Sequence, residues 1–217
     1  MKTELILTFA HDLRSCLRSI VVATQRIERE PEELSVASRA RLDEVLAAAK
    51  RQEDLIASVV EYDQANLAGD PPLALRLVIQ TACMKVDAYR QARGGVITFD
   101  SQAIPKVPVA SGLSRVIEKI LHNGLKFQPA GKHPLVRVEA SENDVGGIAI
   151  TVHDNGIGIE PAYRQSVLEP FKRLNPATEF PGSGLGLAIC QRLVESIGGN
   201  LRIDDGGVII ILPKREP

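Results

Sequence analysis

The chain has 217 residues, 44% of them hydrophobic and 24% charged, with a formal net charge of -1. That balance is ordinary for a globular protein and lacks the basic excess of a nucleic-acid surface, so no nucleic-acid partner is expected. No apolar run approaches the roughly 20 residues that span a bilayer, and Glu4, His11 and Asp12 interrupt the apolar N-terminal stretch, so no signal peptide is expected.

From residue 3 to about 29, Ile6, Phe9, Leu13, Leu17, Ile20, Thr24 and Ile27 recur at gaps of three or four. This spacing predicts a helix with a coiled-coil-like seam. Pro31, Glu32 and Glu33 break it, and Ser38 is placed to cap a second helix reaching about Asn66. Leu42, Val45, Ala49, Ile56 and Val59 run along one side of that helix. At about 40 Å each, two helices with narrow seams make no core alone, so pairing with a second copy into a four-helix bundle is expected. Residues 1–68 are read as this dimerising hairpin, and GDPP (Gly69 to Pro72) as the linker.

Beyond it the pattern becomes mixed. A helix is predicted over about 73–93, a strand at VITFD, and a second helix from about Leu113 carrying Val116, Ile117, Ile120, Leu121 and Leu125. Strands follow at 136–140 and 148–154, joined through a DVGG turn, then a helix, and finally the strand GVIIILP. Residues 69–217 are therefore expected to form an α/β two-layer sandwich of mostly antiparallel strands. Cys16, Cys83 and Cys190 are far apart and lack metal-ligand spacing, so buried thiols in a reducing, cytoplasmic setting are expected.

Two glycine runs carry the chemistry: HDNGIGIE (His153 to Glu160) and PGSGLGLAI (Pro181 to Ile189). Asp154, at a strand end, can accept a hydrogen bond from an exocyclic amine such as that of adenine, and Gly156 and Gly158 let the backbone approach a flat base. Gly182, Gly184 and Gly186, with Ser183, Leu185 and Leu187 between them, open a helix whose free N–H groups and dipole suit phosphate. No GK[ST] follows and no strand leads straight in, so this is neither a Walker nor a Rossmann loop. On the preceding helix Lys119, Asn123 and Lys126 share a face. The Asn123 amide oxygen, with phosphate oxygens, can hold Mg²⁺, and Lys126 can neutralise phosphate charge. Lys172 and Arg173 can reach phosphate from the segment before the second run. His122 and His153 are read as wall or packing residues, as are Gly124, Phe127 and Phe171.

In order, the Asn-bearing helix, DNGIGI, EPF (Glu169 to Phe171) and GSGLGLAI resemble the N, G1, F and G2 boxes of histidine kinases, within the ATPase superfamily shared with gyrase, Hsp90 and MutL. HDLRSCLRSI (His11 to Ile20) is similar to their H box, and the short lid, FKRLNPATEFPGSGLGLAI (Phe171 to Ile189), is similar to that of phytochrome-type kinases. The resemblance implies ATP and Mg²⁺ as cofactors, with Asp154 on adenine, Asn123 on the metal and Gly182 to Leu187 as the moving lid. It implies His11 as phospho-acceptor, oriented by Asp12, and a response-regulator receiver aspartate as the next acceptor. Ser15 lies where many relatives position water for phosphatase activity. Helix geometry agrees with an accessible acceptor: with Ile6 at zero, His11 falls at about 140°, nearly opposite the seam.

Three positions depart from the family pattern. Cys16 stands where Pro is usual, Lys119 where Asn is usual, and Gly124 where Ala is usual, the last weakening the helix by roughly 1 kcal/mol. They motivate an alternative reading, a degenerate kinase serving as a phosphotransfer, phosphatase or binding scaffold. A gyrase- or Hsp90-type ATPase is a third, which leaves the H box unexplained. Ten residues precede His11, too few for an input domain, so an upstream sensor or a separate sensor protein is expected.

Overall fold

The computed structural model describes residues 2–29, 34–143, 146–176 and 179–214, with the side chains of 2–5, 8 and 9 left out. The expected helix break at Pro31 to Glu33, the Phe9 side chain, Asp144 and Val145 of the DVGG sequence, and Ala177 and Thr178 lie outside the described residues. The chain divides into two units, 1–64 and 65–217. The division falls four residues before the expected boundary, because Ala65 and Leu67 are buried in the second unit and the Leu67 N–H donates to Ser196 Oγ at 2.8 Å.

The first unit is a hairpin of α1 (Lys2–Glu28) and α2 (Val36–Asp63). Its contact is built from Ala10, Leu17, Ala49 and Ile56, with Val21 and Val60 packed alongside. The predicted seam splits. Leu17 and Thr24 face α2, while Leu13, Ile20 and Ile27 stay 38%, 47% and 42% exposed. A single hairpin has one neighbour and buries only the part of a wide apolar stripe that meets it. Thr24 is tolerated inside because its hydroxyl donates to the Ile20 carbonyl at 2.9 Å. The cap of α2 is Ser35, not Ser38: Ser35 is extended, and its Oγ accepts from the Ser38 N–H at 3.1 Å. Val36 follows with 89% of its surface exposed.

The second unit is a sheet covered on one face by helices. In it β2 (Val96–Phe99), β4 (Leu135–Glu142), β5 (Ile148–Asp154), β6 (Asn200–Asp204) and β7 (Gly207–Leu212) form a five-stranded sheet in the order β2-β4-β5-β7-β6. Only β2 and β4 run parallel. Val136, Val138, Ile150, Val152 and Ile210 project from it into the core. They meet α3 (Leu75–Lys85), α5 (Leu113–Lys126) and α6 (Gly186–Glu195), whose Ile79, Ile117, Leu121, Ile189 and Leu193 are almost fully enclosed.

Three expectations are corrected here. The predicted helix over 73–93 is three elements: β1 (Pro72–Ala74), α3, and α4 (Asp87–Ala92). Leu73 is drawn into antiparallel pairing with Val109 of β3 (Pro108–Ala110), and the helix breaks at Val86. Strand β6 was not expected, although Asp205-Gly206 is a hairpin signal between it and β7. Of the three thiols only Cys190 is fully buried; Cys83 is half-buried, which pushes its pKa up to about 11, and Cys16 is exposed because it lies off the face that meets α2.

Candidate active site

The acidic end of the site is built where β5 stops. The Asp154 Oδ1 accepts from the Gly156 N–H at 2.8 Å, and the Ile157 N–H donates to the Phe127 carbonyl at 3.0 Å, tying the turn to the end of α5. A side chain at Gly156 would overlap that same carbonyl oxygen. Helix α5 passes closely because residue 124 is glycine: a Cβ there would sit 3.2 Å from both Asp154 Cβ and a Val136 methyl. Partial burial raises the Asp154 carboxyl pKa from its ordinary value, against the opposing pull of the Gly156 N–H, Lys132 and His153.

From this turn a cavity of about 270 Å³ opens between α5, the 157–159 turn, the lid and the start of α6. Ile157, Val167, Leu174, Phe180 and Val208 supply apolar wall, and the rings of Phe127 and Phe180 lie 5.0 Å apart. Cations gather on the lid side. Arg173 donates to the carbonyls of Phe180 (2.8 Å), Gly182 and Asn175 (3.4 Å), and Lys126 Nζ donates to that of Pro181. Burial, then the charge of Arg173, lowers the Lys126 pKa. Gly184 adopts φ +72° and accepts from the Phe171 N–H at 3.0 Å, while Phe171 itself holds φ +64°. Helix α6 starts at Gly186 without a side-chain cap, so its first amides are open to a ligand.

Asn123, Lys126, Asp154, Gly158, Arg173, Gly182, Ser183, Gly184, Gly186 and Leu187 are all brought together on the lining. Gly156 and Leu185 are not. Gly156 lies behind the turn under the Phe127 carbonyl, and Leu185 is wholly buried as an anchor of the lid. Their contribution is to shape the walls. His122 stacks on Tyr89 with centroids 4.3 Å apart, and His153 pairs with Glu139 at 2.9 Å, so both are engaged in packing and surface contacts. Sequence reasoning missed Val208, which comes from the far end of the chain and reaches the site through its pairing with Val152. It also missed Phe180 and Asn175, whose only signal was proximity to the second glycine run.

In the hairpin unit, His11, Asp12 and Ser15 are exposed on α1. The His11 and Asp12 side chains are 83% and 73% accessible, and His11 Nδ1 lies 3.3 Å from Asp12 Oδ1.

Residues 109–216 match the family described as Histidine kinase-, DNA gyrase B-, and HSP90-like ATPase. A solved structure of the mycobacterial sensor histidine kinase MprB is 31% identical, with 68% of this chain and 99% of that chain covered and a TM-score of 0.53. This chain belongs to the sensor histidine kinases. The signal transduction histidine-protein kinase/phosphatase MprB of Mycolicibacterium paratuberculosis is 32% identical over 216 residues, covering 94% of this kinase chain and 40% of that protein. The chain thus spans about two fifths of the length of the curated relatives it matches. The crystal structure of full-length ShkA in complex with AMPPNP is similar in fold at TM-score 0.70 and 22% identity, covering 96% of this chain and 44% of that one. In this histidine kinase no described helix is long and apolar enough to cross a membrane.

Proposed function

We propose that this chain transfers the γ-phosphoryl group of ATP to His11 and passes it to an aspartate of a response-regulator receiver domain. One observation carries the reading: an exposed His11–Asp12 pair and a glycine-walled cavity with a half-buried carboxylate at one end and the cations Lys126 and Arg173 at the other occur in one chain. Asp154 would accept the adenine amine, and the apolar walls would flank the base. Lys126, Arg173 and the first amides of α6 would receive the phosphates. Asn123, an amide-oxygen donor on the lining, fits a Mg²⁺ carried chiefly by the phosphates, which it would help to neutralise.

At the acceptor, a proton on His11 Nδ1 donated to Asp12 leaves the Nε2 lone pair facing solvent. Nε2 attacks the γ-phosphorus as the bond to the β-phosphate oxygen breaks and ADP leaves. Asp12 holds the imidazole and takes the Nδ1 proton as positive charge develops. Exposure of the pair is what the sequence of two reactions demands, since both ATP and a receiver aspartate must reach one nitrogen. Ser15, one turn further along α1, would position the water that removes the receiver's phosphate.

The exposed Leu13, Ile20 and Ile27, with Val45 of α2 at 41% exposure, support pairing with a second hairpin into a homodimeric bundle. A cytoplasmic setting and an upstream sensor, on this chain or on a separate protein, complete the reading. Incubation with labelled ATP should give an acid-labile, alkali-stable phosphoprotein that a His11→Ala variant fails to form. Label retained by that variant removes His11 as the acceptor.

A further inference from the structure

The charges of the cavity are lopsided. Among the described lining residues the single carboxylate is Asp154, whose Oδ1 is already held by the Gly156 N–H. The lining cations are Lys126, Lys172 and Arg173. Lys172 has Glu169 at 3.6 Å. The contacts of Lys126 and Arg173 are instead to carbonyl oxygens of residues 180, 181 and 182, with Asn175 as a further acceptor for Arg173. Neutral carbonyls neutralise no charge, and hydrogen bonds to an ionised acceptor are roughly twice as strong as those to a neutral one. Two neighbouring cations that repel each other and meet only dipoles form a ready receptor for a polyanion. A divalent ion would enter the same place with little from the protein to hold it, because Mg²⁺ favours carboxylate oxygens and Asn123 offers one amide oxygen. It would also add charge beside the two cations.

We infer that the phosphate end of this cavity holds a nucleoside triphosphate through Lys126 and Arg173 themselves, so that nucleotide affinity depends little on Mg²⁺. The inference rests on the ATP reading above and concerns binding; the metal keeps its place in the transfer step. On arrival of the nucleotide, phosphate oxygens replace the carbonyls of Phe180, Pro181 and Gly182 on the two side chains. That exchange frees the lid backbone at the glycine that, with φ +157°, lies against Lys126 Nζ. Occupancy of the phosphate end and rearrangement of the lid are therefore one event.

The test is calorimetric titration of the whole chain with ATP, once in excess Mg²⁺ and once in excess EDTA. The dissociation constant should rise by less than about fivefold on removing the metal, and a larger rise overturns the inference. An Arg173→Gln variant should weaken ATP binding in EDTA by about tenfold or more while leaving AMP binding as it was. Unchanged ATP affinity in that variant also overturns it. Arg173→Gln also removes the contacts to the carbonyls of Phe180 and Gly182, so its melting temperature is measured alongside, and the wild-type ratio stands as evidence by itself. Binding that occurs only with Mg²⁺ overturns the inference and leaves the ATP reading intact; no binding under either condition overturns both.

Discussion

The hairpin encloses Ala10, Leu17, Ala49 and Ile56 and leaves Leu13, Ile20 and Ile27 largely in water, whereas the α/β unit buries Ile79, Ile117, Leu121, Ile150, Ile189 and Ile210 to 1% exposure or less. The groups assigned to the proposed reaction divide the same way. His11 and Asp12 stand out from a helix surface, and Asp154, Lys126 and Arg173 surround a cavity. A nucleophile that must meet two different partners cannot be enclosed, and one helix surface suffices to present it. A nucleotide has to be gripped from several sides at once, which requires strand ends, helix termini and a lid held in register by a packed core. The two units thus differ in core size for a reason that belongs to their proposed chemistry.

Four substitutions probe this contrast. Ile117→Ala, in the centre of the larger core, should destabilise the α/β unit by about 3–4 kcal/mol, whereas Leu17→Ala should cost the hairpin about half as much in the monomer. Denaturant titrations checked by circular dichroism would decide it, and equal losses would mean that the hairpin is better packed than its exposed stripe indicates. Next in size, Gly156→Ala should destabilise the α/β unit by about 2 kcal/mol and weaken nucleotide binding, because its new Cβ meets the Phe127 carbonyl. Gly186→Ala, where a Cβ meets nothing within 4 Å, should be silent in melting experiments.

A smaller, pH-dependent effect concerns Asp154. Its carboxyl pKa is raised in the folded chain, so the folded state favours the protonated form. The associated stability is fully present below the unfolded pKa of about 3.9 and is lost as pH rises through the folded value. Asp154→Asn keeps an acceptor for the Gly156 N–H and removes the ionisation. It should therefore raise the melting temperature relative to wild type at pH 7 and lose that advantage toward pH 3. An advantage independent of pH would show that the carboxylate is well solvated after all.

Much of the site was legible before any coordinates. The spacing of Asn123, Asp154 and the two glycine runs reflects local backbone needs: a strand end, a turn that no Cβ can enter, and a helix N-terminus. Such needs are written in short stretches of chain, as is the helical period that turns His11 away from Leu17. The seam of α1 was read as one stripe, yet the fold divides it, since Leu17 and Leu13 are alike in sequence and differ only in having α2 beside them.

Residues 73–93 show the same limit. Their apolar period fits one helix, but Pro108 to Ala110 offered Leu73 a strand partner, and non-local pairing overrode local preference. Val208 joined the cavity through sheet order, and Leu185 left the lining for the core. By itself the sequence determined the long helices of the hairpin, most of the sheet strands, the chemical groups and the direction His11 faces, because these follow from hydrogen-bonding capacity and periodicity along the chain. Only the tertiary structure decided which apolar faces are covered, and that Lys126 and Arg173 converge on consecutive lid carbonyls. Both depend on contacts between residues far apart in sequence, which no local pattern records.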